Sequence, residues 1–295
     1  MAATLCLAGA APAAHAQTVV NCNNNPQALQ PAINNATAGA TLFVTGRCTG
    51  NFRINKNLTL IGQGGAVLDG TDTGRVVTVS PQSVRVRLSS LVITNGTDTS
   101  GAGGGGISNF GTLTLNYSVV HNNTSTRTGG GINNSGTLTV NYSVVRNNTT
   151  PEDGGGIENG GTLTVNSSIV HSNTVTSAPG VVADGGGGIS NGFGTLTLSR
   201  SIVRNNHAEA GGGIDNSGTT RLISSAVHNN SADGLGGGIR TLFDSTLTLD
   251  LSSVRFNSAS AGGGIFNIGG TATATRSIVR DNNPNNCVGV SGCSL

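Results

Sequence analysis

The stretch Gly129 to Asn148, GGGINNSGTLTVNYSVVRNN, returns almost letter for letter as GGGIENGGTLTVNSSIVHSN from Gly154 to Asn173. Laid end to end, such units place isoleucine at Ile107, Ile132, Ile157, Ile189, Ile214, Ile239 and Ile265. The period is about 25 residues, interrupted only where TVTSAPGVVAD, Thr174 to Asp184, intervenes. A unit of that size cannot bury its own apolar face, so each must lie on the next as one coil of a solenoid.

Within a unit, GTLTV alternates: Leu138 and Val140 face one way, Thr137 and Thr139 the other. That period of two is the mark of a half-buried strand, and no helical period competes with it. The later SVVRNN segment supplies another strand, with the column Val120, Val145, Val170, Val203, Val227, Val254, Val279 directed inward. Coils of this kind stack strands about 4.8 Å apart in parallel sheets. The expectation is an all-β, single-stranded parallel β-helix over 41–282, its seven clear repeats starting near 103. Two asparagine columns, one from Asn123 to Asn282 and one from Asn109 to Asn267 that fails only at Thr241, are read as turn residues whose amides bond from coil to coil.

The ends differ from the repeat. MAATLCLAGAAPAAHAQ has a short apolar region and an Ala14-His15-Ala16 cleavage pattern, which reads as a signal peptide over 1–16, although no Lys or Arg precedes the apolar region. Residues 17–40 are expected to form a cap, with Leu29, Ala32, Ile33 and Ala36 at the spacing of a short amphipathic helix over the first coil. Cys22 and Cys48 sit near one end, Cys287 and Cys293 near the other, which suits an oxidising compartment and one disulfide per end; other pairings stay open. Residues 283–295 then form a C-terminal disulfide cap. The protein is read as secreted and monomeric, with no transmembrane segment, since no apolar run approaches the roughly 18 residues a spanning helix needs.

Composition removes several function classes. Charged residues are 9% of the chain, the formal net charge is +2, and there is no tryptophan and only two tyrosines, so nucleic acid is not an expected partner. No His/Cys cluster has zinc spacing, and Asp69 and Asp72 are too few for a calcium site; no metal or cofactor is expected.

GGGI-x-N followed by GTLTV and V-x-x-N resembles the right-handed β-helix repeats of pectin-lyase-like proteins and of chlamydial polymorphic outer-membrane proteins and related bacterial surface proteins. The resemblance spans roughly Thr41 to Asn282 and implies a right-handed helix, in keeping with the preferred hand of parallel crossovers. It is specific for fold and poor for function, because such proteins include lyases, hydrolases and adhesins. The Asp cluster with GHG and RIK strings of polygalacturonase-like members, and the acidic calcium group with catalytic Arg of pectate lyases, have no counterpart here.

Three outward columns carry the candidate chemistry. His121, Arg146, His171, Arg204, His228, Arg255 and Arg280 follow the buried valine by one residue and form a cationic, titratable ridge suited to a polymer with regularly spaced negative groups. Alternating His with Arg avoids roughly 1 kcal/mol of repulsion per neighbouring pair in water. Thr112, Thr137, Thr162 and Thr195 make one threonine file and Thr114, Thr139, Thr164 and Thr197 a second, broken later at Arg221; this resembles the T-x-T face of β-solenoid ice-binding proteins. In the column after GGGI, expected to face outward, Glu158 and Asp215 lie two coils apart, about 9.6 Å, at the edge of the separation used by inverting glycosidases, with Arg240 beside Asp215. The leading expectation is a secreted scaffold binding an extended polysaccharide or another cell-surface component. The alternatives are a polysaccharide lyase or glycoside hydrolase using Glu158, Asp215 and Arg240 beneath the 174–184 insertion, and an ice-binding protein.

Overall fold

In a computed structural model that describes residues 18–177, 185–291 and Cys293, Thr137–Asn141 lies parallel to Thr162–Asn166, pairing Thr137 with Thr162 and Val140 with Val165 without slip. The same register runs along the chain, giving a parallel β-solenoid of about 11 turns with only 3% helix. Signal-peptide residues 1–16 and most of the insertion, 178–184, lie outside the described residues.

Each regular coil carries four short strands, two more than the alternating GTLTV and SVVRNN segments indicated. In one coil these are Ile132–Asn134, Thr137–Asn141, Val144–Arg146 and Thr149–Thr150. The leucine and valine of the threonine strand, the middle valine and the isoleucine all point inward; Leu138, Val140, Val145 and Ile132 are buried, as are their counterparts on neighbouring coils. Each such side chain stabilises the stack by roughly 1.5 to 3 kcal/mol.

The corners explain the conserved spelling of the unit. Two non-glycine residues per coil adopt left-handed backbone, one on each side of the valine strand, as at Tyr142 (φ 48°) and Asn147 (φ 52°). Between them and the core run three hydrogen-bonded ladders. Asn123, Asn148, Asn173, Asn206, Asn230, Asn257 and Asn282 are joined amide to amide at 2.9–3.0 Å. The second asparagine ladder joins Asn109, Asn134, Asn159 and Asn191 at 2.7–2.8 Å. A serine ladder, not anticipated from sequence, has the Ser143 backbone N–H donating to Ser168 Oγ at 3.0 Å and repeats on neighbouring coils. These side chains satisfy corner backbone groups that would otherwise be buried unpaired.

The coils before the clear repeats join the same ladders: Arg85 and Arg87 pair with Thr112 and Thr114, and Thr94 with His121. Leu29–Asn35 is a helix with Leu29 and Ile33 buried, lying against the strands Thr41–Thr49 and Phe52–Ile54. Lys56 Nζ donates to the Asn34 and Ala36 carbonyls at its C-terminal end, at 2.9 and 3.1 Å, where a cation complements the helix dipole. Cys22 is bonded to Cys48 and Cys287 to Cys293, one disulfide at each end.

Candidate functional site

The cationic column is continuous. Backbone register pairs His121 with Arg146, Arg146 with His171, and so on through Arg204, His228 and Arg255 to Arg280, seven consecutive rungs of one strand position. The first six side chains are half-buried and Arg280 is exposed. Burial lowers His121, His171 and His228 below the usual histidine range, and charges on Arg146 and Arg204 lower them further. The ridge at neutral pH is therefore a row of arginines spaced by neutral imidazoles, and more acid is needed to charge it fully than an ordinary histidine would require.

What flanks this column was missed in the sequence. Two residues earlier, Val119, Val144, Ile169 and Ile202 also face outward, half-buried, as an aliphatic file. Beyond them, at the left-handed corner, Tyr117 and Tyr142 stack with ring centroids 5.1 Å apart and planes 8° from parallel, each more than half exposed. The doubled NYSVV string was the available signal. Apolar file, aromatic pair and guanidinium row lie side by side on one face, a combination that suits the C–H faces and carboxylates of sugars.

The column after GGGI is also in register, with Glu158, Ser190, Asp215 and Arg240 on successive rungs. Its exposure differs from the expectation. Ser190, Asp215 and Arg240 are buried, and Gly185 packs so close that a side chain there would strike both Asp215 and Arg240. The structure pairs Asp215 with Arg240 in a bidentate ion pair, Nε to Oδ1 and Nη2 to Oδ2, both 2.7 Å. Asp215 is thereby committed to Arg240, two rungs from Glu158.

Glu158 is the chemically distinctive carboxyl. Its Oε2 is buried without a hydrogen-bond partner among the described residues. Burial pushes it up to about 8, the Ser190 hydrogen bond opposing the rise and the Asp153 and Asp215 charges adding to it. It lines a recess of about 290 Å³ with Arg127, Thr128, Asn133, Ser135 and Gly160. A carboxyl that keeps its proton near neutrality can donate a proton or, once ionised, accept one. Among the described residues no group of three or more His, Cys, Asp or Glu is placed to hold a metal ion.

The threonine files are likewise in register, Thr112 with Thr137, Thr162 and Thr195, and Thr114 with Thr139, Thr164 and Thr197, with Arg221 on the next rung of the second file. Beside them Asn116, Asn141 and Asn166 form an outward amide ladder at 2.9 Å.

No protein-family model matches the chain, and no curated protein matches it. Among solved structures it is similar to pectate lyase Pel9A, at 14% identity and a TM-score of 0.56 over 91% of this chain and 80% of that one. It is also similar to an alginate lyase from Paenibacillus sp. str. FPU-7, at 14% identity and a TM-score of 0.52 over 92% and 99% of the two chains. Both are right-handed parallel β-helices of the pectin-lyase-like kind, and at this identity the likeness establishes that fold for the present chain.

Proposed function

We propose that this protein works outside the cell as a β-helix that binds an extended acidic polysaccharide along the His/Arg ridge, with the helix Leu29–Asn35 capping the first coil. The observation that carries this reading is the seven-rung cationic column flanked by an aliphatic file and the stacked tyrosines. Arg146, Arg204 and Arg255 stand two rungs apart, about 9.6 Å, so one chain laid along the axis meets a charge at regular intervals and gains from multivalency. The two structural neighbours are named as lyases of pectate and alginate, which favours a polysaccharide over other extended partners. Two disulfides favour an oxidising location.

The test is co-sedimentation with acidic and neutral polysaccharides at increasing salt. Arg146→Gln with Arg204→Gln should weaken binding to the acidic polymer about tenfold or more and reduce its salt dependence; unchanged affinity removes the ridge from consideration.

A second reading, a polysaccharide lyase or hydrolase, is favoured by Glu158, a carboxyl raised to about 8 in a recess that also holds Arg127. In this reading Glu158 transfers the proton and Arg127 neutralises a substrate carboxylate, while Asp215 and Arg240 hold the ladder beneath. Release of oligosaccharides from the same incubations, abolished by Glu158→Gln, would establish it. The ice-binding reading rests on the two threonine files alone, and an ice-growth assay comparing wild type with Thr139→Tyr addresses it.

A further inference from the structure

Around the next corner from the ridge, three side chains that the polysaccharide readings do not use converge. His207 and Ser231 are 24 residues apart in sequence but paired on adjacent rungs of the short sheet that includes His207–Ala208 and Ser231–Ala232. His207 Nδ1 lies 3.0 Å from Ser231 Oγ, and His207 Nε2 lies 3.6 Å from Asp233 Oδ2. For Nδ1 to accept from the serine hydroxyl, the ring proton must sit on Nε2, the nitrogen that Asp233 faces. His207 and Asp233 line a recess of about 200 Å³ with Thr174, Thr176, Ser177 and Glu209.

The geometry points to Ser231, His207 and Asp233 as a nucleophile, base and orienting acid for hydrolysis of a small acyl ester, such as an O-acetyl group on a carbohydrate. Nucleophile hydrogen-bonded to base, and base facing acid, are relations such chemistry needs, whatever fold carries them. The Ser231 oxygen attacks the acyl carbon as its proton passes to His207 Nδ1. The tetrahedral adduct collapses with cleavage of the ester C–O bond, and the departing alcohol oxygen takes that proton. Water then attacks the acyl-serine, giving a proton to Nδ1. Collapse returns it to Ser231 as the carboxylic acid leaves, so one ester and one water become one acid and one alcohol. Asp233 faces the Nε2–H at 3.6 Å, and that separation must close to a hydrogen bond as the ring acquires charge.

The experiment incubates the intact protein with 4-nitrophenyl acetate and, separately, with a fluorophosphonate serine probe whose adduct is located by peptide mass. The expected result is nitrophenol release with probe attached at Ser231. Ser231→Ala should abolish both, and His207→Gln should slow release about 100-fold. Ser258→Ala, an exposed serine on the next rung, should leave release unchanged. A wild-type protein that neither takes the probe at Ser231 nor releases nitrophenol overturns the inference, as does release that survives Ser231→Ala. The wild-type adduct needs no variant, so a folding defect in a mutant cannot mask the outcome. Failure here leaves polysaccharide binding at the ridge untouched.

Discussion

Two outward-facing columns of the same solenoid have opposite fates. The ridge from His121 to Arg280 stays half-exposed and repeats one kind of chemistry, whereas the column holding Glu158, Asp215 and Arg240 varies from rung to rung and is buried at Ser190, Asp215 and Arg240, where Gly185 packs over the ion pair. Pointing away from the core is thus not the same as facing water. A strand position sets direction, and the neighbouring loop sets exposure. Repetition of charge is tolerable on the ridge because water screens it. On the covered column a charge must find a partner, as Asp215 does with Arg240, or keep its proton, as Glu158 does.

The sharpest way to break the comparison is to remove one partner from the covered column. Arg240→Met leaves Asp215 buried and uncompensated, and should cost about 3 to 5 kcal/mol in denaturant unfolding, whereas Arg240→Met with Asp215→Leu should recover most of that loss. Equal destabilisation by single and double replacements would mean that the pair does not act as a unit.

Glu158 gives the next largest effect and its sign is fixed. Its folded-state pKa is raised from 4.5 to about 8, so the stability it contributes is complete below 4.5 and is lost as pH rises towards 8. Unfolding free energy should fall by up to about 1.4 kcal/mol per pH unit inside that window, and Glu158→Gln should flatten the profile. An unchanged slope in the variant would place the titration elsewhere.

The ridge has the opposite sign. His121, His171 and His228 are lowered below the usual 6.5, so their contribution is present above 6.5 and lost as pH falls through their folded-state values. Affinity for an acidic polymer should rise over the same acid range as these rings charge, which titrations of wild type and of His171→Gln would compare. Smallest of all, Arg146→Gln should change stability by less than about 0.5 kcal/mol while still reducing polymer binding, because a half-exposed arginine contributes little to folding.

Much of this was legible before any coordinates. The about 25-residue period, the inward Val120 to Val279 column, and membership of the His/Arg and threonine columns follow from spacing alone, because parallel stacking at about 4.8 Å turns sequence period into spatial register; one disulfide per end was expected from where the cysteines cluster, with the other pairings left open until the structure. The asparagine columns were legible as corners and as coil-to-coil amide ladders.

What the sequence by itself determined, then, is which residues share a ladder and which side of the strand they leave from. Only the tertiary structure decided what each ladder meets. Gly185 packs over Asp215 and Arg240, Tyr117 meets Tyr142 across a left-handed corner, and His207 reaches both Ser231 and Asp233 on the following coil. Period specifies the backbone stack because every coil repeats the same hydrogen bonds. Burial, ion pairing and ring contacts depend on corner and loop residues that differ from coil to coil, and the repeat does not encode them.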